Sequence, residues 1–189
     1  NQKLFDLIPA YLEKLMCDIR HTGEMIKNLG MRLRSIYIGG GTPTALNEIQ
    51  LNRLLTELYD QFDLSKTREF TLEAGRPDTI NNEKLDIIKN FGISRISINP
   101  QTMNQKTLDI IGRKHTPDDF LRTYEMAAAK GFSHINTDLI AGLPEENEED
   151  FSNTLKYIKD LNPQSVTIHT MSIKRGSFLD EKYSMYTPS

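Results

Sequence analysis

The chain has 189 residues and a formal net charge of −3, with 38% hydrophobic and 26% charged residues, an ordinary globular composition that excludes an intrinsically disordered chain. Its basic residues are scattered, so the charge does not indicate a nucleic-acid-binding surface. No apolar run approaches the roughly 20 residues of a membrane span, so we expect neither nucleic acid nor a membrane as a partner.

The cysteine content and the first residues bear on the compartment. The one cysteine, Cys17, excludes a disulfide framework and indicates a reducing compartment, and we expect it to be a small apolar residue of the first helix. No signal-peptide pattern opens the sequence, so the expected location is the cytoplasm. The length suits a single domain over residues 1–189. Because the sequence starts with Asn1 rather than Met, we expect it to be a piece of a longer chain.

In chain order, an amphipathic helical pattern from about Pro9 to Leu29 comes first, and five β-type runs then alternate with further helical segments. The predicted strands cover residues 34–40, 69–74, 94–99, 133–142 and 164–170, and a short helical stretch covers about 104–111. The longer helices between the strands have recognisable ends. Their predicted starts are a capping box at Asn47 with Gln50, then Asn81 or Asn82, Thr116 before Pro117, and Asn147, and their predicted ends are Gly92, Gly131 and Asn162-Pro163.

This alternation predicts an α/β fold with parallel strands and right-handed crossovers. Two architectures remain open, an open doubly wound sheet and a (β/α) barrel. A complete eight-stranded barrel takes about 250 residues, so five strands would form only part of one. Because no strand precedes the first helix, we expect that a first strand is missing from this sequence.

Polar side chains or bare backbone follow each predicted strand, where such folds bind their ligands. They are Gly39 to Thr42 after the first strand, Glu73 after the second, Asn99 to Gln101 after the third, Asp138 in the fourth, and His169, Thr170 and Ser172 at the fifth. Taken singly, each has an ordinary structural explanation, such as a solvated strand-end Glu, a satisfied core His or an exposed Arg113. Asp138 lies in an otherwise apolar strand, so we expect it to face inward and to be hydrogen-bonded. His115 precedes a helix start, and we expect it to be structural or exposed.

The stretch "IYIGGGTPT" places three glycines after a strand, which is entropically costly and gives a core nothing to pack. It matches neither G-x-G-x-x-G nor the phosphate-binding P-loop. A backbone nest for an anion and a set of carbonyl acceptors for an ammonium group both remain open. With Glu73 and Asp138 as acceptors and Arg113 as a donor, this edge suits a bound amino acid that carries a ribose.

Four segments carry a resemblance to a known family: "YIGGGTPT", "EAGRPDT", "SRISINPQTMNQKTLDIIGRKHT" and "NTDLIAGLPEENEEDF". Together they resemble radical S-adenosylmethionine (radical SAM) enzymes, and more narrowly the oxygen-independent coproporphyrinogen III oxidase family in its HemZ-type branch. The resemblance runs from about residue 10 to about residue 180. It implies an incomplete, TIM-like barrel of six βα units, (β/α)6, here without its first strand.

The resemblance also implies which residues contact S-adenosylmethionine. They are Gly40, Gly41 and Thr42 of the GGGTP motif, Glu73, Gln101, Arg113 at the carboxylate, Asp138 of D-L-I-x-G-L-P, and backbone near Ser172 on the adenine side. Two departures from the family pattern stand out. The family commonly has E-x-D/N-P where this chain has "EAGRP", and S-x-G-V-Q where it has "SINPQ". These changes cast doubt on an identical substrate.

The larger departure concerns the [4Fe-4S] cluster. The family holds it by three cysteines at C-x3-C-x2-C spacing, and this chain contains only Cys17, so the cluster ligands are expected upstream. The resemblance implies an oxidase that decarboxylates propionate side chains of coproporphyrinogen III in haem biosynthesis, with S-adenosylmethionine, the cluster and an electron donor protein. The piece itself is expected to be inactive. A haem-binding chaperone of the same family and a radical SAM enzyme with another substrate are the alternatives. A sugar-phosphate barrel is not favoured, because no second glycine-rich loop follows a late strand.

Overall fold

The computed structural model describes residues 6–173, Gly176 and Glu181. Its helices and strands agree closely with the sequence pattern. They are α1 (Ile8–Asn28), β1 (Ser35–Ile38), α2 (Glu48–Gln61), β2 (Glu69–Glu73), α3 (Asn82–Asn90), β3 (Arg95–Ser97), α4 (Gln105–Ile110), α5 (Pro117–Ala129), β4 (His134–Ala141), α6 (Glu148–Leu161) and β5 (Ser165–Thr170). Short 3-10 turns at Pro43–Ala45 and Pro77–Thr79 follow β1 and β2.

The predicted helix starts are confirmed in atomic detail. Reciprocal capping boxes open α2 at Asn47, α5 at Thr116 and α6 at Asn147, each satisfying main-chain N–H groups of the first turn. At α3 the side chain of Asn81 accepts the main-chain N–H of Lys84. The helix ends are confirmed as well, since Gly92 follows α3 with a positive φ of 70°.

The five strands form one parallel sheet whose spatial order, β1-β2-β3-β4-β5, is the order of the chain. This order decides between the two architectures that the sequence left open. A doubly wound sheet reverses direction at a switch point, whereas an unreversed order with right-handed crossovers places every helix on the same face. The fold is therefore a singly wound α/β sheet, the wall of a TIM-like barrel.

The two faces of the sheet differ in polarity because side chains alternate along each strand. One face supplies buried residues that pack under the helices, among them Phe70, Leu72, Ile96, Ile135 and Leu139. The other we call the polar face. In the strand register it carries Tyr37, Thr71, Glu73, Arg95, Ser97, His134, Asn136, Asp138, Ser165, Thr167 and His169.

The first helix packs on α2, and it buries Leu12, Met16 and Gly23. Cys17 lies on α1 as expected, but it is exposed, with its Sγ atom 3.4 Å from a guanidinium nitrogen of Arg20. The residue expected to be a small apolar part of the first helix is therefore a surface residue, because the helix turns its neighbour Met16 into the core instead. Within the described part of the chain, no helix combines the length and apolarity that a membrane crossing requires.

Candidate functional site

The loop after β1 contacts the end of β2 through Glu73. The main-chain N–H of Gly40 donates to Oε2 of Glu73 at 3.3 Å, and the hydroxyl of Tyr37 donates to the same oxygen at 3.5 Å. Burial, followed by the negative charges of Glu73 and Asp138, raises the pKa of Tyr37. The phenol therefore stays protonated near neutral pH and remains a hydrogen-bond donor to the carboxylate.

The three glycines of this loop differ in what a side chain at each position would meet. A Cβ atom on Gly39 would collide with the ring of Tyr37 and would lie 2.7 Å from Oε2 of Glu73. Gly40 has a φ of +87°, which side chains of L-residues rarely adopt. Gly41 has no positive φ, and nothing lies within 4 Å of the position that its Cβ would take. The fold itself therefore gives no reason for a glycine at position 41.

A buried lysine that the sequence did not single out joins the loops after β1 and β2. Lys84 is 9% exposed, and its Nζ donates to the carbonyl of Thr44 at 2.7 Å and to that of Thr79 at 3.0 Å. The hydroxyls of Thr44 and Thr79 are also hydrogen-bonded to each other at 2.6 Å. The only sequence signal was its position four residues before the buried Ile88, on the same side of α3.

We expect the substitution Lys84→Met to lower the free energy of unfolding by about 1–3 kcal/mol, because the carbonyl groups of Thr44 and Thr79 lose a charged donor. Urea unfolding of the 189-residue chain would measure the loss. Lys156→Met on the exposed surface of α6 is the matched control, expected to change the free energy by less than about 0.5 kcal/mol. An equal effect of the two substitutions would contradict the role given to Lys84.

The end of β3 shows why Gln101 has an unusual backbone. The N–H of Ile98 donates to the carbonyl of Asn136, so a regular parallel ladder would next need residue 100 to donate to the carbonyl of Asp138. Residue 100 is proline and has no N–H. Gln101 donates to that carbonyl instead, at 3.1 Å, and adopts a φ of +67° to do so. The ladder continues after this one-residue bulge, with Gln101 paired to Leu139.

This left-handed conformation can be tested by substitution. We expect Gln101→Gly to be more stable than Gln101→Ala by about 1 kcal/mol, because a Cβ atom is disfavoured at positive φ. At Lys156, inside α6, the same pair of substitutions should rank in the opposite order, with glycine the less stable by about 1 kcal/mol. Chemical denaturation of the four variants gives both differences, and the same order at the two positions would contradict the conformation.

Asp138 faces the polar side of β4 and is hydrogen-bonded, as expected. Its Oδ1 accepts from the amide of Asn136 at 2.6 Å, and its Oδ2 accepts from the amide of Asn99 at 2.9 Å. The oxygen of the Asn136 amide accepts in turn from the hydroxyls of Ser165 and Thr167 on β5. Both oxygens of this half-exposed carboxylate are thus oriented, while each keeps acceptor capacity for a ligand.

Arg113 follows α4 and is half-buried. Burial and then the nearby positive charge of Arg76 lower its pKa, and Asp78 acts in the opposite direction. Within residues 6–173 the guanidinium forms no hydrogen bond or ion pair, although cations that are taken out of water normally find one. It is therefore available to an anionic group. The two guanidinium groups make this corner electropositive.

The predicted site residues differ in whether a direct contact connects them to one another. Gly40 and Glu73 are in contact, and the main chain of Gln101 is bonded to that of Asp138. Thr42 is half-buried and starts the turn Pro43–Ala45, whereas Ser172 lies exposed beyond β5. Direct contacts thus connect two pairs of the predicted residues, and Gly41, Arg113 and Ser172 are placed only by the loops that carry them.

The two histidines considered in the sequence analysis differ in burial. His115 is buried, its Nε2 lies 3.2 Å from the carbonyl of Pro100, and burial lowers its pKa. It is a structural residue behind the bulge that ends β3. His169 is exposed on the polar face of β5, beside Ile140.

The donor set fits S-adenosylmethionine but not an iron–sulfur cluster. Carboxylates and glycine backbone can accept from an ammonium group and from hydroxyls, and the guanidinium of Arg113 can donate to a carboxylate. A [4Fe-4S] cluster takes thiolate ligands, and this chain has only the exposed Cys17. Among the described residues, no group of three or more His, Cys, Asp or Glu side chains could hold a metal ion.

Comparison with known proteins gives consistent matches. Residues 18–158 match the family model described as the radical SAM superfamily. The chain is 39% identical to the oxygen-independent coproporphyrinogen-III oxidase-like protein HemZ of Bacillus subtilis, covering 95% of this chain and 36% of that protein. It is 35% identical to the heme chaperone HemW of Lactococcus lactis, covering 88% of this chain and 42% of that protein. The oxygen-independent coproporphyrinogen III oxidase of Salmonella typhimurium is 32% identical, with coverages of 84% and 34%.

Solved structures agree with these matches. The coproporphyrinogen III oxidase HemN of Escherichia coli, a radical SAM enzyme, superposes with a TM-score of 0.82 at 28% identity, over 92% of this chain and 39% of that chain. The archaeal Elp3 of Methanocaldococcus infernus has the same fold, with a TM-score of 0.68 at 20% identity, over 90% of this chain and 45% of that chain. The chain thus spans between 34% and 42% of the length of the curated relatives named above.

Proposed function

The chain belongs to the radical SAM superfamily, and on that premise we propose that the carboxyl edge of its sheet binds S-adenosylmethionine for an oxygen-independent coproporphyrinogen III oxidase. The observation that carries the proposal is the contact of the glycine backbone at Gly40 with Glu73 at the end of β2, at the same edge of the sheet as the oriented carboxylate of Asp138 on β4. These groups are the acceptors that an amino acid with a ribose requires.

Each proposed contact has a physical reason. Glu73 and the carbonyls of Gly40 and Gly41 accept from the ammonium group, and Arg113 donates to the carboxylate of the same amino acid. Asp138 and the side chain of Gln101 receive the hydroxyls of the ribose. Thr42 supports the loop beside the amino acid, and the backbone near Ser172 borders the adenine.

S-adenosylmethionine, when bound beside a reduced iron–sulfur cluster, supplies the one-electron chemistry that removes a hydrogen atom from a substrate. The residues of this chain bind and orient it. The glycines admit close approach, the two carboxylates and Arg113 fix its polar ends, and the helix-covered face of the sheet holds these groups rigidly. Because the chain does not supply cluster ligands, we propose that they come from a preceding segment of a longer protein, and that the 189-residue chain alone is inactive.

A second candidate function is haem binding by a chaperone. The observation that favours it is the 35% identity to a heme chaperone over 88% of this chain, close to the identity with the oxidases. The residues proposed to hold S-adenosylmethionine do not discriminate between the two. We place the oxidase first because the relative named with 39% identity is described as oxidase-like. The porphyrinogen substrate and a separate electron donor protein belong to this proposal.

The test uses the full-length protein, reconstituted anaerobically with iron and sulfide and supplied with S-adenosylmethionine, a reductant and coproporphyrinogen III. We expect 5′-deoxyadenosine and protoporphyrinogen IX to appear in proportion. If 5′-deoxyadenosine forms without a porphyrin product, the oxidase is excluded, and haem titration of the same preparation then tests the chaperone. Failure to assemble a cluster would contradict the whole proposal.

A further inference from the structure

The side chain of Asn99 joins the third and fourth strands where their main-chain ladder is interrupted. Asn99 is 3% exposed. Its amide oxygen accepts from the hydroxyl of Ser97 at 2.7 Å and from the main-chain N–H of Asp138 at 3.1 Å. Its amide nitrogen donates to Oδ2 of Asp138 at 2.9 Å. One buried amide thus holds both the backbone and the carboxylate of the same aspartate.

This double contact follows from the proline next to it. Pro100 cannot donate to the sheet, and the resulting bulge displaces the main-chain pairing to Gln101. The N–H of Asp138 lies in this interruption, and a buried N–H without an acceptor is costly. The amide oxygen of Asn99 supplies the acceptor, and its nitrogen then points at the carboxylate.

Gly75, in the loop after β2, lies against this amide. A Cβ atom on Gly75 would lie 3.2 Å from Nδ2 of Asn99, and the next nearest atom is Oε1 of Glu73 at 3.4 Å. Gly75 has no positive φ, so its backbone does not demand glycine. Positions 75 and 99, which are among those where the sequence departs from the family pattern, therefore lie against each other.

We propose that Asn99 is a positioning residue that sets the orientation of the Asp138 carboxylate toward the ligand, and that Gly75 is glycine to leave room for it. The inference rests on the proposed function, since Asp138 is the group that would contact S-adenosylmethionine. Asn136 alone orients the other oxygen, Oδ1. Without Asn99 the carboxylate keeps one donor of two and can rotate about that single contact.

The test is a cycle of three variants, Asn99→Ala, Gly75→Ala and the double substitution. Binding of radiolabelled S-adenosylmethionine to the reconstituted full-length protein is measured by equilibrium dialysis. Each single substitution is expected to weaken binding about tenfold, because the Asp138 carboxylate loses one of the two hydrogen bonds that orient it. The double variant should bind as Asn99→Ala does, because Gly75→Ala acts only by displacing the amide.

Urea unfolding of the same variants of the 189-residue chain separates positioning from stability. We expect Gly75→Ala to destabilise the wild type but not the Asn99→Ala background. If the double variant loses the product of the two single losses of affinity, the two positions act independently and the inference is overturned. It is also overturned if Asn99→Ala binds S-adenosylmethionine normally while its free energy of unfolding is reduced. A wild-type protein that assembles its cluster but does not bind S-adenosylmethionine would overturn the proposed function and the positioning role together. The unfolding cycle would still report whether positions 75 and 99 are in contact.

Discussion

Replacement of Gly41 by valine is expected to weaken S-adenosylmethionine binding about a hundredfold or more, which corresponds to about 2.7 kcal/mol. The free energy of unfolding should change by less than about 0.5 kcal/mol. Nothing lies within 4 Å of the Cβ position of Gly41, so the folded chain has space for the new side chain. A bound S-adenosylmethionine whose amino acid lies against this backbone would collide with the valine side chain.

The contrast with Gly40 makes this prediction specific. Gly40→Ala places a Cβ at a φ of +87° and is expected to cost about 1 kcal/mol of stability, whatever binds nearby. Equilibrium dialysis on the reconstituted protein and urea unfolding of the chain separate the two effects. Normal binding by the Gly41→Val variant would mean that no ligand approaches this backbone, and the interpretation of the glycine loop would be wrong.

The substitution Arg113→Met should weaken S-adenosylmethionine binding by about 10- to 150-fold, the range for losing a hydrogen bond between charged groups. The guanidinium is half-buried and forms no pair with the described residues, so a neutral side chain of similar length should not destabilise the fold. The effect should fall on affinity alone.

A ligand without the amino acid tests whether Arg113 meets the carboxylate. Binding of 5′-methylthioadenosine, which has neither the ammonium nor the carboxylate group, should be the same in the wild type and in Arg113→Met. Arg122→Met is the matched control, because Arg122 is exposed on α5 and pairs with Asp119. If Arg113→Met weakens the binding of both ligands equally, Arg113 maintains the conformation of the loop and does not contact the carboxylate of the ligand.

Much of the fold was predictable because its signals are local. The caps at Asn47, Thr116 and Asn147 are read from a few neighbouring residues, and each forms as predicted. The alternation of strands and helices fixed the parallel arrangement in advance. The choice between a doubly wound and a singly wound sheet depends on which strands are neighbours in space, and the strand order supplied it.

The residues of the candidate site stay a prediction from the sequence, whereas the contacts between them are seen only in the structure. Three adjacent glycines look alike in a sequence, and only the structure shows that Gly41 has room for a side chain whereas Gly39 does not. Lys84 and Asn99 were not assigned roles because their partners are separated from them by up to 40 residues. The sequence "NPQ" contains the proline, yet the ladder position that lacks its donor is set by the register with β4.

The sheet order also has a kinetic consequence. Every hydrogen-bonded pair of strands in the sheet is consecutive in the chain, so forming a pair closes a loop of only one βα unit. Short closures of this kind favour rapid folding, and the sheet can grow strand by strand without waiting for distant ends to meet. Growth of this kind leaves β2, β3 and β4 bonded on both sides, so native-state hydrogen exchange should be slowest in these three strands. The glycine loop at the end of β1 is then carried by a strand with one described neighbour, where opening costs least.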